Sequence, residues 1–220
     1  MVTSSYRTPR RDAEAEIEVR RSRFLCTIVR VEDEAAARAV VDRLRKEHHD
    51  ARHHCSAFVL GPDAAVERSN DDGEPSGTAG APMLEVLRGA ALSDVVAVVT
   101  RWFGGTLLGA GGLVRAYGDA VRAGLDAAGA QRRDLLQELL LEVGHTDAGH
   151  VESALRTRGI AVLGSDYAAA VTLRLGVAPA DVPRLHALVA ELTSGAALAT
   201  PAGERWVDTG MDSGLDSLGS

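Results

Sequence analysis

The strongest constraint on the fold is a run of apolar, mostly β-branched residues near the middle of the chain. Asp94–Thr100 has the sequence DVVAVVT, with no alternation between polar and apolar positions after its first residue. Such a run predicts a central strand that is covered on both faces. Apolar residues at helical spacing over Glu34–His48 predict a helix earlier in the chain, which Asp33 is suited to cap. This part of the chain is therefore predicted to combine α and β structure.

Other elements surround this central strand. Gly61-Pro62-Asp63 is a turn signal that joins two strands in a predicted hairpin. Asn70–Gly77 carries two glycines, a proline and two aspartates, so it is predicted to be a loop. The predicted strands are Glu14–Glu18, Arg23–Val31, His53–Leu60 and Ala65–Ser69, and the predicted helices are Thr78–Leu87 and one that begins near Ala110.

The pattern changes after about residue 133. Strands and helices then follow in the order βαββαβ, which is typical of a ferredoxin-like domain. We therefore predict an α+β protein with a first domain at 14–132 and a ferredoxin-like domain at 134–207. Residues 1–13 and 208–220 are polar and are predicted to be disordered.

The net charge of −7 is unevenly distributed. Residues 1–133 contain 19 basic and 19 acidic residues, whereas residues 134–220 contain 5 basic and 12 acidic residues. The acidity therefore does not argue against an anionic partner for the first domain. Only two cysteines occur, which favours a cytoplasmic protein over a disulfide framework. No apolar run approaches the ~18 residues that a membrane span needs.

The first candidate functional segment is the acidic loop Ser69–Gly80, with the sequence SNDDGEPSGTAG. Its carboxylates could bind a divalent cation or act as general acid or base, and the following helix start could hold an anion. The alternative is a turn with a helix cap, which accounts for most of these residue types. It accounts less well for three acids, which exceed what a cap needs. The residues concerned are Asp71, Asp72 and Glu74, with Ser76 and Thr78 suited to cap the helix.

The second candidate is the glycine-rich segment Arg101–Tyr117. It has no G-K-[ST] sequence, and Val114 stands where a dinucleotide fingerprint needs its third glycine, so both phosphate-binding motifs are excluded. Arginines beside an aromatic residue suit stacking and phosphate contact in RNA recognition. The alternative is that the aromatics are core residues and the glycines allow tight packing. The residues concerned are Arg101, Trp102, Gly104, Gly105, Gly109, Gly111, Gly112 and Arg115.

Four histidines, His48, His49, His53 and His54, form a third group. The first two are adjacent at a predicted helix end, and the other two point to opposite faces of a predicted strand. No second ligand pair lies at a fixed spacing, so neither a metal site nor a cofactor is predicted. No Ser-His-Asp or Cys-His arrangement can be identified from the spacing, so no catalytic residue is predicted.

Four motifs together resemble the YigZ branch of the IMPACT family. They are RSRF at Arg21–Phe24, A-x-H-x-C-x-A at Ala51–Ala57, SNDDGEPSGTAGAPML at Ser69–Leu84 and VVTRWFGGTLLGAGGLVRAY at Val98–Tyr117. The motif match covers about residues 20–125, and the later domain matches in pattern only. Trp102 stands where this family often has tyrosine, and His54 adds a second histidine beside the motif's own.

The resemblance implies a first domain with a β-rich sheet and helices packed on one face, similar to the fourth domain of elongation factor G. It also implies a role in translation, with the ribosome, RNA or a translation-related protein as partner. Arg23 and His53 join the residues of the two segments in the predicted binding surface. Two alternatives stay open, namely a metal-dependent hydrolase that uses the acidic loop, and a protein-interaction module without nucleic-acid binding.

Overall fold

The computed structural model describes residues 3–211 of the chain. These residues form two compact units, one of residues 3–133 with 209–211, and one of residues 134–208. No helix within the described range is long and apolar enough to cross a lipid bilayer.

The first unit is built on a five-stranded antiparallel sheet. Its strands lie in the order β2-β3-β6-β4-β5, so β6, the apolar run predicted to be central, is the middle strand. The elements in chain order are β1 Ser5–Pro9, β2 Ala13–Val19, β3 Ser22–Arg30, α1 Glu34–Glu47, β4 His53–Leu60, β5 Val66–Asn70, α2 Gly80–Gly89, β6 Val95–Trp102 and α3 Ala110–Ala128.

The sheet of the first unit is covered on both faces. Val95, Ala97 and Val99 of β6 pack in one core with residues of α2 and α3. Val96 and Val98 point the other way into a second core with residues of α1. The predicted α+β class is confirmed. The helices were predicted to pack on one face of the sheet, but only α2 and α3 share a face, and α1 packs on the opposite one. The alternate side chains of β6 are all apolar, so both faces must be shielded from water.

The beginning of the chain differs from its prediction. Residues 1–13 were expected to be disordered, but Ser5–Pro9 forms β1 and Thr8 is fully buried. The backbone NH of Arg10 donates to the carbonyl of Gly129, and that of Ser93 donates to the carbonyl of Arg7. Main-chain pairing of this kind is independent of side-chain polarity, so the polar sequence gives no sign of it.

The second unit has the predicted ferredoxin-like topology. Its elements are β7 Ala130–Val143, which begins in the first unit, α4 His145–Thr157, β8 Ala161–Tyr167, β9 Val171–Val177, a 3₁₀ turn at Pro179–Asp181, α5 Val182–Thr193 and β10 Thr200–Met211. The strand order β10-β7-β9-β8 follows from the pairing of β10 with β7. Leucines of β7 and β9 form its core with apolar residues of α4 and α5.

The end of the chain was also predicted to be disordered, from residue 208. Strand β10 includes residues 208–211, so the prediction is wrong for that part. The remaining residues of the predicted tail, 212–220, lie outside the described residues.

Candidate functional site

The two candidate segments lie on either side of β4 in the first unit. The acidic loop follows β5, and Asn70 at its start pairs with Ser56 of β4. The glycine-rich segment begins at the end of β6, where Arg101 pairs with His53 of β4. Because β4 lies between β5 and β6, segments that are about thirty residues apart in the chain share one end of the sheet.

Asp71 closes the acidic loop onto the start of α2. One of its carboxylate oxygens accepts from the backbone NH groups of Ala79 and Gly80 at 3.0 and 2.8 Å, and the other accepts from Gly77 at 2.8 Å. Burial acts in the opposite direction, but these three donors together lower the pKa of Asp71. The carboxylate is therefore a helix cap contributed from outside the helix.

Ser76 and Thr78 do not cap α2 as predicted. The helix begins two residues later than expected, at Gly80, and Ala79 occupies the cap position. Ser76 is exposed, and the Thr78 hydroxyl donates to the carbonyl of Pro75 at 2.6 Å. Asp71 already occupies the backbone donors that a serine or threonine cap would use, because a carboxylate is the stronger acceptor.

Asp72 ties the loop to α1 and β4. Its carboxylate accepts from Arg45 of α1 and from the backbone NH of His54, each at 2.6 Å. Its carbonyl oxygen lies 2.8 Å from Nδ1 of His53. Asp72 has a φ of +44°, a strained conformation that these contacts hold in place. Asp72 therefore holds the acidic loop against α1 and β4, and His53 is one of the β4 residues that it contacts.

Glu74 lies at the centre of a buried polar network between the two segments. Its carboxylate accepts from Arg101 at 2.5 Å and from the hydroxyl of Tyr117 at 2.8 Å. The side chains of Arg101 and Glu74 are only 7% and 4% exposed. Arg101 was predicted to contact a ligand at the surface, but it is a buried partner of Glu74. Its guanidinium carbon lies 5.3 Å from the ring centre of Phe24 and 5.8 Å from that of Phe103.

Cys55 completes this network without being reactive. Its sulfur lies 3.3 Å from the Tyr117 hydroxyl and 3.0 Å from the carbonyl oxygen of Asp71. Burial raises the pKa of Cys55 to about 12, and burial also raises the pKa of Tyr117. Both groups therefore keep their protons at neutral pH, and Tyr117 remains a hydrogen-bond donor to Glu74.

The glycines of the second segment have different roles. A side chain at Gly104 would place its Cβ 2.0 Å from the backbone carbon of Arg21, so only glycine fits this contact. Gly105 and Gly109 have φ values of +83° and +71°, which glycine adopts without strain. Gly111 faces open space, and Gly112 would meet only the side chain of Leu108. Tight packing therefore explains part of the segment.

The outer side of this loop carries exposed aromatic, aliphatic and basic side chains. Phe103 is 47% exposed and Leu107 is 81% exposed, although the former resembled a core residue in the sequence. The guanidinium of Arg21 donates to the hydroxyl of Thr106 at 3.1 Å. We call the following residues the arginine–aromatic surface: Arg20, Arg21, Arg23, Trp102, Phe103 and Leu107.

Arg23 and Trp102 form a stacked pair within this surface. The guanidinium carbon of Arg23 lies 4.2 Å from the centre of the indole ring, which places a cation over the aromatic face. The indole NH donates to Asp50 at 2.8 Å, and His48 meets the ring edge-on at 5.4 Å between centres. Arg115 is exposed on α3, and its Nε donates to the carbonyl of Gly111 at 3.3 Å.

Sequence reasoning missed Arg20, Arg21, Phe103 and Leu107 as candidate site residues. Arg20 and Arg21 stand in a tight turn between β2 and β3 with φ values of +48° and +67°. The register of β3 on β6 brings this turn beside the glycine-rich loop. An Arg-Arg pair between two predicted strands was the available signal, but only the register links it to Gly104.

The acids and histidines do not assemble a metal site in the described part of the chain. No group of three or more histidine, cysteine, aspartate or glutamate side chains in residues 3–211 has the geometry to hold a metal ion. The acids of the loop already accept from arginines, a tyrosine and backbone amides. Burial lowers the pKa of His54, which keeps this ring neutral near pH 7.

The fold and these contacts define a class of two-domain α+β proteins. In the first domain a glycine-rich loop lies beside an acidic loop, and a ferredoxin-like domain follows in the chain. Residues 20–125 match the Impact N-terminal domain, and residues 141–196 match a domain of unknown function, DUF1949. The chain belongs to the IMPACT family.

Its relatives are similar along most of their length. The IMPACT family member YvyE of Bacillus subtilis is 41% identical over 191 residues, which is 87% of this chain and 88% of that protein. The IMPACT family member YigZ of Escherichia coli is 41% identical over 180 residues, 81% of this chain and 88% of that protein. A solved structure described as a hypothetical protein is 36% identical and has a TM-score of 0.62. The match covers 93% of this chain and 100% of that chain.

Proposed function

We propose that the first unit binds RNA of the translation machinery through the arginine–aromatic surface, with Arg115 as a further contact. The observation that carries this proposal is the exposed Phe103 beside arginines that are free to meet phosphates. Arg23 pairs with Glu16 at 3.1 Å, whereas within residues 3–211 Arg20, Arg21 and Arg115 form no ion pair with a carboxylate. Bases stack on exposed aromatic rings, and arginines contact the phosphates between them.

The arrangement of the acidic loop supports this proposal. Three carboxylates beside an RNA-binding surface would repel phosphates if they pointed outward. Asp71 accepts from backbone amides, Asp72 accepts from Arg45, and Glu74 is buried against Arg101. The negative charge is therefore compensated locally, and the loop supports the neighbouring surface without opposing its charge.

The surface is also held in shape before any ligand binds. The close contact of Gly104 with Arg21, the bond from Trp102 to Asp50 and the stacking of Arg23 fix its backbone and two of its side chains. A preorganised surface loses less conformational entropy on binding. The ribosome is the partner that the family resemblance implies, and ribosomal RNA supplies both unpaired bases and phosphates.

Co-sedimentation with purified ribosomal subunits tests this proposal. Phe103→Ala should weaken binding about 5- to 150-fold, since stacking of one base on an aromatic ring contributes ~1–3 kcal/mol. Tyr167→Ala is the matched control, because Tyr167 is 68% exposed but belongs to the second unit. Failure of the wild-type protein to bind ribosomes or RNA, or equal effects of the two substitutions, would show the proposal to be wrong.

A protein partner is a second candidate, favoured by the aliphatic part of the surface. Leu107 is 81% exposed and cannot stack on a base in the way an aromatic ring does. Leu107→Ser, which adds no charge, should then abolish cross-linking to a translation factor and change RNA affinity far less than Phe103→Ala does. Leu198→Ser, at a leucine that is 66% exposed in the second unit, is the control. The hydrolase alternative has no comparable support, because the loop carboxylates are already engaged.

A further inference from the structure

A polar groove lies on the α1 side of the sheet in the first unit, and none of its lining residues belongs to the arginine–aromatic surface. It encloses about 310 Å³ between α1 and the edge strand β5. Phe58 and Val41 provide apolar contact area in the groove, while Ser56 and Asn70 provide a hydroxyl and an amide group. A volume of this size is near the lower end of small-molecule sites.

The strand register explains why the groove exists. Arg68 of β5 lies directly across from Phe58 of β4, and Asn70 lies across from Ser56, so all four side chains share the α1 face. Ala37 of α1 packs in one core with Phe58 and with residues of β6. Because β5 is the outermost strand, its face beyond α1 stays uncovered.

Three arginines from separate elements line the groove. Arg38 and Arg45 extend from α1, and Arg68 extends from β5. Arg38 pairs with Glu34, and Arg45 pairs with Asp72. In contrast, Arg68 forms no ion pair within the described part of the chain, and the only hydrogen bond of its side chain there runs to the carbonyl of Glu67 at 2.8 Å.

The lining of the groove contains three arginines and one carboxylate, and because Glu34 and Asp72 pair with Arg38 and Arg45 from outside the lining, the positive charge left uncompensated is that of Arg68. Asp42 is the one carboxylate in its lining, and it lies 3.9 Å from Arg45. The hydrogen bond from Arg38 lowers the pKa of Glu34, and the charge of Arg68 contributes to the same shift. The field of both arginines thus reaches a carboxylate at the N-terminal end of α1, and an anion in the groove would experience it as well.

We infer that this groove binds a phosphate monoester, with Arg68 and Arg38 on the phosphate and Phe58 and Val41 against the organic part. The planar fork of an arginine side chain matches phosphate oxygens in a two-point contact. The apolar area suits an organic group better than inorganic phosphate alone. Such a monoester occurs in a free metabolite and at the 5′ end of an RNA, and the experiment below separates these sources.

Calorimetric titration of the full chain with four probes tests this inference. The probes are AMP, adenosine, a 5′-phosphorylated trinucleotide and the same trinucleotide with a 5′ hydroxyl. AMP should bind saturably and adenosine should not, because the phosphate supplies the charge. Arg68→Ala should weaken binding at least about tenfold, as expected for loss of a charged hydrogen bond.

Arg43→Ala is the matched control for this experiment. Arg43 lies on α1, as Arg38 and Arg45 do, pairs with Glu47 at 3.2 Å and does not line the groove, so its loss should leave the affinity unchanged. Because both arginines are exposed, neither substitution should unfold the protein, which circular dichroism can verify.

Each outcome decides for or against the groove. Binding of AMP that depends on Arg68 indicates a free metabolite, and binding of the phosphorylated trinucleotide alone indicates an RNA end. The inference is overturned if no phosphorylated probe binds below about 10 mM, a weakness that leaves no specific site. It is equally overturned if Arg68→Ala binds like the wild type, or if Arg43→Ala weakens binding as much as Arg68→Ala.

Discussion

Removal of Arg101 should strongly destabilise the first unit, because it leaves the carboxylate of Glu74 buried without a cation. The two side chains are 7% and 4% exposed and their charged groups are 2.5 Å apart. Loss of one partner of such a pair costs ~3–5 kcal/mol, a large part of the ~5–15 kcal/mol that stabilises a typical protein. We therefore expect Arg101→Met to lower the free energy of unfolding by ~3–5 kcal/mol.

A double-mutant cycle separates this charge effect from lost packing. Glu74→Gln removes the negative charge but keeps an oxygen that can accept from Tyr117. The double variant with Arg101→Met should therefore lose only ~1–2 kcal/mol, less than the single Arg101 variant. The exposed pair of Arg43 and Glu47 is the control, and Arg43→Ala should change stability by less than ~0.5 kcal/mol.

Urea unfolding followed by tryptophan fluorescence measures these differences. Trp102 reports on the first unit and Trp206 on the second, so Trp206→Phe leaves a probe for the first unit alone. This matters because two units can unfold in separate transitions. The reasoning is refuted if Arg101→Met lowers the free energy of unfolding no more than Arg43→Ala does. It is also refuted if the double variant with Glu74→Gln is less stable than the Arg101→Met variant.

Three further predictions address the loops and the thiols. Gly104→Ala should destabilise the protein by more than ~2 kcal/mol in the same urea assay, because its Cβ would overlap the backbone of Arg21; Gly111→Ala, which faces open space, should not. Asp71→Asn should cost ~1–2 kcal/mol at pH 7. Folding lowers the pKa of Asp71, so its contribution to stability is fully present at pH values above the unfolded-state pKa of about 4. The contribution is lost as the pH falls through the folded-state pKa, and the stabilities of variant and wild type should converge there. Cys55, with its raised pKa of about 12, should react with a thiol reagent at pH 8 only as fast as the unit opens, and rapid labelling of the native protein would contradict its assignment to the buried network.

The sequence predicted the elements better than the site. Strand β4 was predicted at His53–Leu60 and is found there, and Asp33 caps α1 by accepting from the NH of Ala36 at 2.7 Å. Both features depend on residues close together in the chain. The start of α2 was predicted too early, since its cap comes from Asp71, eight and nine residues before the NH groups it accepts from.

The roles of the candidate site residues depend on contacts between distant parts of the chain. The excess of acids in the loop suggested a metal or catalytic site, but Glu74 pairs with Arg101 and Asp72 pairs with Arg45. Neither pair has a fixed spacing, and both depend on the sheet order. The register of β3 on β6 likewise sets Arg21 beside Gly104, which no local pattern shows.

The salt dependence of RNA binding is the most direct test of the arginine–aromatic surface. The logarithm of the binding constant for single-stranded RNA should fall with the logarithm of salt concentration, by about 0.7 for each phosphate contact. The double variant Arg21→Ala, Arg115→Ala should reduce that slope by about 1.4, whereas Arg43→Ala should leave it unchanged. A slope that the double variant does not alter, or wild-type binding that salt does not weaken, would contradict the proposal that this surface binds RNA.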